Sequence, residues 1–386
     1  MEKVTETIIN VGVNDAALTL FEGQYALENG MAYNSYVILD EKTAVMDTVD
    51  AHVTQEWLAN LEEALAGRTV DYLIVQHMEP DHSGSMERLM EKFPEMKIVA
   101  SAAAFNMMKQ FFTADVQSRA VAVKEGDTLS LGAHTLQFFT AAMVHWPEVI
   151  VTYEQSEKVM FSADGFGKFG TRDADEDWTC EARRYYFNIC GKYGMQVQAL
   201  LKKLAALNIS VICPLHGPVL TENLGYYIDK YATWSSYAPE DEGVFIAYAS
   251  VYGHTKEAAL KLKEILEEKG APKVSVCDLC RDDMHEAVED AFRYDRLVLA
   301  AVSYDAGVFP AMEDFLHHLK NKNYQKRIVA LIENGSWAPT AAKTMKTLLE
   351  GMKELTVLEP VVTIRSAMKP ETVVQLEEMA DALLQK

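Results

Sequence analysis

The chain has 386 residues, room for two or three domains at roughly 100–200 residues each, and 49% of them are apolar, enough for packed cores rather than disorder. A formal net charge of −21 argues against a nucleic-acid partner, because a phosphate backbone needs Lys/Arg patches. "MEKVTETIINVG" lacks a signal-peptide core and no run of about 18 apolar residues follows, so no membrane span and a cytoplasmic location are expected. Cys180, Cys190, Cys213, Cys277 and Cys280 are too few and too irregular for a disulfide framework.

From about residue 32 to residue 163, short apolar runs alternate with turn residues. "YNSYVILD", "KTAVMDT", "YLIVQH" and "KIVAS" read as strands, and "QEWLANLEEALA" and "SMERLMEKF" as helices. The stretch from "RAVAV" to "VMFSAD", broken by "EGD", "GA" and "EQSEK", reads as a meander of consecutive strands. Two sheets flanked by helices are expected.

Within this half, "HMEPDHSGS" follows the predicted strand "DYLIV" and crowds His77, Glu79, Asp81 and His82 together. In an extended stretch, side chains at i, i+2 and i+4 share a side, which is the spacing of His77, Glu79 and Asp81; His82 turns off toward a helix beginning near Ser83. Helix capping by Asp81 or Ser83 is the bland alternative. Against it stand three more ligand-type residues at strand ends: His145 in "MVHWPE", Asp164 in "VMFSAD" and His216 in "VICPLHGP". "GFGKFG" (Gly165 to Gly170) matches G-x-G-x-x-G, but the polar "TRDADEDW" that follows is not the amphipathic helix a dinucleotide site opens; its glycines are expected to let backbone pass close to a metal pocket.

"APEDEG" (238–243) breaks the pattern, and the boundary is placed there: 1–240 and 243–386. Beyond it, "VFIAYAS", "KVSVCDL", "DRLVLAAVSY", "KRIVALIENGS" and "TVLEPVVT" alternate with helices, the first being "HTKEAALKLKEILEEKG". Strictly alternating strands and helices imply a doubly wound parallel sheet of flavodoxin size. "SVYGHT", between the first strand and first helix, supplies Ser250, Tyr252, Gly253, His254 and Thr255 to a helix N-terminus, a phosphate cradle. Two later strand-end loops carry aromatics: Ser303, Tyr304, Asp305, Ala306 and Gly307 in one, Asn334, Gly335, Ser336 and Trp337 in the other. Cys277 and Cys280 form a lone C-x-x-C and are read as packing residues, since a four-thiolate iron site would need a second pair. His317 and His318 are expected to be exposed.

An H-x-[HE]-x-D-H loop followed by distant His, Asp and His resembles the metallo-β-lactamase pattern, and Glu79 together with a flavodoxin-like second half resembles the flavodiiron (A-type flavoprotein) family over nearly the whole chain. The resemblance implies an N-terminal metallo-β-lactamase-like αββα sandwich followed by a flavodoxin-like doubly wound parallel sheet. It implies one metal on His77, Glu79 and His145, another on Asp81, His82 and His216, and Asp164 bridging them. It also implies that "SVYGHT" holds the FMN phosphate, with Tyr304 and Trp337 stacking on the flavin. Carboxylate in place of a second imidazole hardens the site and adds negative charge, which favours iron or manganese over zinc. The activity so implied is reduction of O2 to water, of NO to N2O, or both, by two irons and FMN. The electrons would come from an external donor such as rubredoxin or a reduced deazaflavin, since no rubredoxin-type cysteine set is present. A head-to-tail homodimer, or a dimer of such dimers, would bring one chain's flavin to the other's irons. The alternatives are a zinc-dependent metallohydrolase fused to a flavodoxin-like domain, against which Glu79 speaks, and an electron shuttle without metal, which leaves the ligand-type residues unexplained.

Overall fold

In a computed structural model describing residues 1–385, the chain forms two compact units. One comprises Met1–Tyr185 and Met195–Ala232; the other comprises Tyr186–Gly194 and the chain from Thr233 on.

The first unit is an αββα sandwich. One sheet runs, in spatial order, Glu2–Lys3, Ile8–Asn10, Tyr36–Ile38, Ala44–Met46, Tyr72–Val75, Lys97–Ser101, Ala120–Val123. The other runs Thr128–Ser130, Thr135–Thr140, Ile150–Glu154, Val159–Phe161, Val211–Cys213. Their facing side chains make one core: Ile8, Tyr36, Ile38 and Ile74 from the first sheet pack with Leu136, Phe138, Ile150 and Phe161 from the second. Such apolar burial contributes roughly 1.5–3 kcal/mol per large side chain. Helix Thr54–Leu65 buries Trp57, Leu61 and Leu65 at helical spacing, and helix Ala102–Phe111 buries Ala104, Phe105 and Met108.

Two expectations change here. Ala120–Val123 is not part of the meander: it pairs in parallel with Lys97–Ser101 in the first sheet, and the meander begins at Thr128. Pattern marks a strand but not its partner. Asp81 is also not in extended chain. Pro80 starts a short helix, Pro80–Ser83, with Glu79 at its N-cap, and the next helix starts only at Met86. A proline at the first helical position has its φ already set and no N–H to lose.

The second unit is a parallel sheet in the order Val274–Asp278, Asp241–Ala249, Tyr294–Tyr304, Arg327–Asn334, then Leu355–Val357 and Val362–Ile364 as two pieces. The predicted last strand "TVLEPVVT" is thus split, with Glu359–Pro360 between the pieces. The order, second strand first, is that of doubly wound flavodoxin-like sheets. Ile246, Val298, Ala330 and Ile332 pack under helix His254–Glu268 through Leu262 and Leu266 and under helix Pro370–Leu384 through Leu376 and Leu383. The strand takes in Asp241–Gly243 from the "APEDEG" break, where the Asp241 carboxylate accepts from Arg293 Nε at 2.7 Å. Tyr186–Gly194 packs into this same unit: Phe187 stacks on Phe292 at 4.2 Å, and the Tyr237 hydroxyl donates to Gly191 O at 2.9 Å. No described helix is long and apolar enough to cross a membrane.

Candidate metal and flavin sites

Strand ends and the loops leaving them place every donor of the first unit. His77 follows strand Tyr72–Val75, His145 lies in the loop between Thr135–Thr140 and Ile150–Glu154, Asp164 follows Val159–Phe161 and His216 follows Val211–Cys213. These loops bring together two groups, His77, Glu79, His145 and Asp164, and Asp81, His82 and His216.

In the first group, His77 Nε2, His145 Nε2 and Glu79 Oε2 form a triangle of 3.0–3.2 Å sides, and Asp164 Oδ2 lies 3.2 Å from both imidazole nitrogens. In the second, Asp81 Oδ2 lies 3.2 Å from His82 Nε2 and from His216 Nε2. Asp164 Oδ1 lies 3.2 Å from His82 Nε2 and 3.8 Å from His216 Nε2. One carboxylate therefore turns one oxygen to each group. Ligands about 2.0–2.1 Å from a tetrahedral metal stand about 3.3 Å from one another, so the spacing within each group is that of one coordination shell.

Protons alone do not satisfy this arrangement. His216 Nδ1 lies 2.7 Å from the Ala32 carbonyl, which only accepts, so Nδ1 carries a proton and Nε2 is the ring atom turned toward Asp81. His82 Nε2, His216 Nε2, Asp81 Oδ1 and both oxygens of Asp164 are buried without a hydrogen-bond partner. Burial alone would raise the Asp164 carboxyl, but the charge of His77 and the other imidazoles around it hold it well below the usual carboxylate range. His145, which burial alone would lower, is carried up to about 9 by Asp164 and Glu79. Three carboxylates and four imidazoles that converge in this way fit a pair of cations.

The supports are built in. His77 Nδ1 donates to Glu148 at 2.8 Å, and the same Oε1 accepts from Met78 N at 2.9 Å. Asp47 accepts from Gln76 N at 2.7 Å and from Gln76 Nε2 at 3.0 Å, pinning the strand end below His77. Burial pushes the Asp47 carboxyl up to about 6. Gly167 explains part of "GFGKFG": a Cβ there would stand 3.0 Å from Asp164 O and 3.4 Å from the His216 Cβ, so backbone passes where a side chain would crowd two donors. No helix follows until Trp178. Phe21, Tyr33 and Tyr185 stand around the His216 ring at 5.5–6.1 Å. A cavity of about 280 Å³ opens onto Glu79 and Asp81, walled by Leu18, Leu20, Phe21 and Tyr33 with Asp50 and His52.

In the second unit a cavity of about 400 Å³ gathers the three predicted loops. Ser250, Tyr252, His254 and Thr255 line it from the first, Ser303, Tyr304, Asp305 and Ala306 from the second, and Asn334, Gly335, Ser336 and Trp337 from the third. Gly253 and Gly307 belong to these loops without lining the cavity. Gly253 has φ +97°, which a glycine adopts without strain, and its N–H donates to Ser250 Oγ at 3.1 Å. Helix His254–Glu268 starts there with no side chain capping it, so its first-turn N–H groups are offered to the loop, a phosphate-binding arrangement. Tyr252 and Trp337 are 91% and 89% exposed and Tyr304 47%, large aromatic faces open at the cavity. An apolar pocket between exposed aromatics, closed at one end by an uncapped helix, fits a phosphorylated flat ring system such as FMN. The sequence reading missed Val251, Val302, Ala338, Thr340 and Ser366, which also line it. Ser366 sits after the fifth strand, where the strand-end rule that found the other loops applied equally. Ser303 Oγ accepts from Thr340 N at 2.8 Å and so ties two of the loops together.

Of the C-x-x-C pair, Cys277 is buried as expected but Cys280 is exposed, lying in the turn after strand Val274–Asp278. His317 is exposed; His318 is half-buried, its ring 5.7 Å from that of His285.

Residues 31–217 match the family model of the ODP family beta lactamase, and residues 245–363 that of a flavodoxin domain. The nitric oxide reductase of Moorella thermoacetica is 26% identical over 94% of this chain and 92% of its own. The solved rubredoxin oxygen:oxidoreductase of Desulfovibrio gigas superposes with a TM-score of 0.91 at 26% identity, covering 99% of this chain and 97% of its own. The flavodiiron protein of Giardia intestinalis shares the fold, with a TM-score of 0.90 at 22% identity over 99% of this chain and 95% of its own. Both halves, in this order and over nearly the full length, carry one conclusion: the chain belongs to the flavodiiron proteins.

Proposed function

We propose that this chain is an oxidoreductase that passes electrons from an external donor through FMN to a di-iron centre, where O2 is reduced to water, NO to N2O, or both. The observation that carries the reading is the pair of donor groups sharing Asp164, with a carboxylate at Glu79, in one chain with the flavin-type cavity. Residues 1–240 are read as the di-iron domain and 243–386 as the FMN domain. His77, Glu79 and His145 would hold one iron, Asp81, His82 and His216 the other, with Asp164 between them. Ser250, Gly253 and Thr255 would hold the flavin phosphate, with Tyr304 and Trp337 against the ring. The flavin supplies one- and two-electron transfer and the iron pair supplies a place for a diatomic substrate to bind.

The protein's own residues orient and protect. Leu18, Leu20 and Phe21 give the cavity over Glu79 and Asp81 an apolar wall that admits a small uncharged gas. Both reductions consume protons. His52 sits at this cavity with Nδ1 2.6 Å from Asp50 and Nε2 2.8 Å from Asp15. Partial burial works against its charge, but the two carboxylates outweigh it and raise its affinity for a proton, which suits it to hold one at the cavity wall.

The external donor is read as rubredoxin or a reduced deazaflavin; the name of the Desulfovibrio gigas relative supports the former. Head-to-tail pairing of two chains, alone or as a dimer of such dimers, is supported by the confinement of each residue set to its own unit. The test is stopped-flow mixing of the reduced protein with O2 and, separately, with NO. Reoxidation of the flavin by at least one, with N2O formed in the second case, is expected. A reduced protein inert to both gases, with zinc-dependent thioester turnover, would establish the hydrolase instead.

A further inference from the structure

Behind the two metal positions stand unlike partners. His77 turns Nδ1 to a carboxylate, Glu148 Oε1, at 2.8 Å. His216 turns Nδ1 to a neutral carbonyl, Ala32 O, at 2.7 Å. His82 Nδ1 is buried with no hydrogen-bond partner. The other buried carboxylate nearby, Asp47, spends its oxygens on Gln76 and on the His77 backbone N–H rather than on an imidazole. Glu148 itself is wholly buried, and its Oε2 has no partner. A buried carboxylate with an unpartnered oxygen is costly unless a neighbouring positive centre answers it. The only route from Glu148 to such a centre on these contacts is through the His77 ring. An imidazole that donates to a carboxylate is a more basic, more firmly oriented ligand than one that donates to a carbonyl or to nothing.

We propose that Glu148 is a positioning residue that makes the two metal positions unequal, the His77–Glu79–His145 position holding its ion more tightly than the Asp81–His82–His216 position. The proposal rests on the di-iron reading above. Glu148 fixes the His77 tautomer with Nε2 toward Glu79, His145 and Asp164, and sets its carboxylate directly behind that position's imidazole.

The experiment is iron release from the anaerobically purified, dithionite-reduced protein to excess ferrozine, followed by absorbance, with iron per chain counted beforehand. The wild type is expected to release its iron in two phases of equal amplitude, their rates about tenfold or more apart. Glu148→Gln keeps the size of the side chain and an acceptor for both His77 Nδ1–H and Met78 N–H, and removes only the charge. It is expected to quicken the slow phase about ten- to a hundredfold, the usual effect of removing such a partner, and to leave the fast phase within about twofold. A merely structural hydrogen bond would survive in this variant and leave both phases unchanged, which overturns the proposal. A single release phase in the wild type overturns it whether or not the variant folds. A protein without two irons contradicts the functional reading and takes this proposal with it, whereas a two-iron protein releasing in one phase overturns this proposal alone.

Discussion

Glu79 places a carboxylate oxygen 3.0 Å from His145 Nε2 and 3.2 Å from His77 Nε2, where a hydrolase-type site would place another imidazole nitrogen. A hard, anionic oxygen favours iron or manganese, and a third nitrogen would favour zinc. Glu79→His is therefore expected to exchange most of the iron for zinc and to abolish oxygen reduction while FMN stays bound. Metal analysis beside the flavin absorbance checks this; full iron and full turnover would show that Glu79 does not select the metal. A second residue-scale outcome concerns the thiols. Cys280 is exposed, whereas Cys213 and Cys277 are buried and burial pushes both thiols up. Iodoacetamide is expected to modify Cys280 first and to reach Cys213 and Cys277 only after denaturation, as read by peptide mass spectrometry. Burial also raises the Cys280 thiol, so its labelling rate should still climb at a pH where an ordinary thiol, with a pKa of about 8.5, has levelled off. The convergence of the seven proposed ligands was legible because imidazoles and carboxylates at strand ends are rare company. Glu148 was not: an acid directly after a proline reads like any surface glutamate, and only the fold shows it wholly buried behind His77.

Elements were legible where apolar runs are bounded by turn residues, and their partners were not. "RAVAV" reads as a strand of the meander, yet Ala120–Val123 takes its hydrogen bonds from Lys97–Ser101, because periodicity along one strand carries no information about the neighbour. The alternation rule fails at Asp81 for a local reason: Pro80 ends the extended chain, so Asp81 leaves the side of His77 and Glu79 and joins the His82 group. The proposed phosphate loop is the element whose prediction is sharpest. Thr255→Ala removes one hydroxyl at the start of helix His254–Glu268; a hydrogen bond to a charged group is worth about 1.5–3 kcal/mol, so FMN affinity is expected to fall roughly ten- to a hundredfold with iron retained. Fluorescence titration of the apoflavin form checks it; equal loss of iron would mean that the two units do not fold independently. Gly253→Ala meets open space but must adopt φ +97°, at a cost of about 1–2 kcal/mol to the flavodoxin-like unit in urea denaturation.

For the whole molecule, the order of two fold types along one chain was readable from the change of rhythm near residue 240 and from the motifs on either side. The inclusion of Tyr186–Gly194 in the second unit was not, since nothing in a helical pattern tells which core its far end joins. The head-to-tail reading makes its own prediction. His82→Ala and the double variant Thr255→Ala with Trp337→Ala are each expected to be inactive. After dissociation and reassociation in equal amounts, about half the dimers are mixed and each has one good flavin–iron pair, so about a quarter of the activity should return. An inactive mixture in which mixed dimers have formed would place electron transfer within one chain. The central claim, that this chain is built to hold an iron pair and a flavin together, is tested most directly by counting cofactors in protein purified without oxygen, using elemental analysis and the flavin absorbance of the same sample. The account predicts about two irons and one FMN per chain; a colourless protein, or one carrying zinc alone, would contradict it.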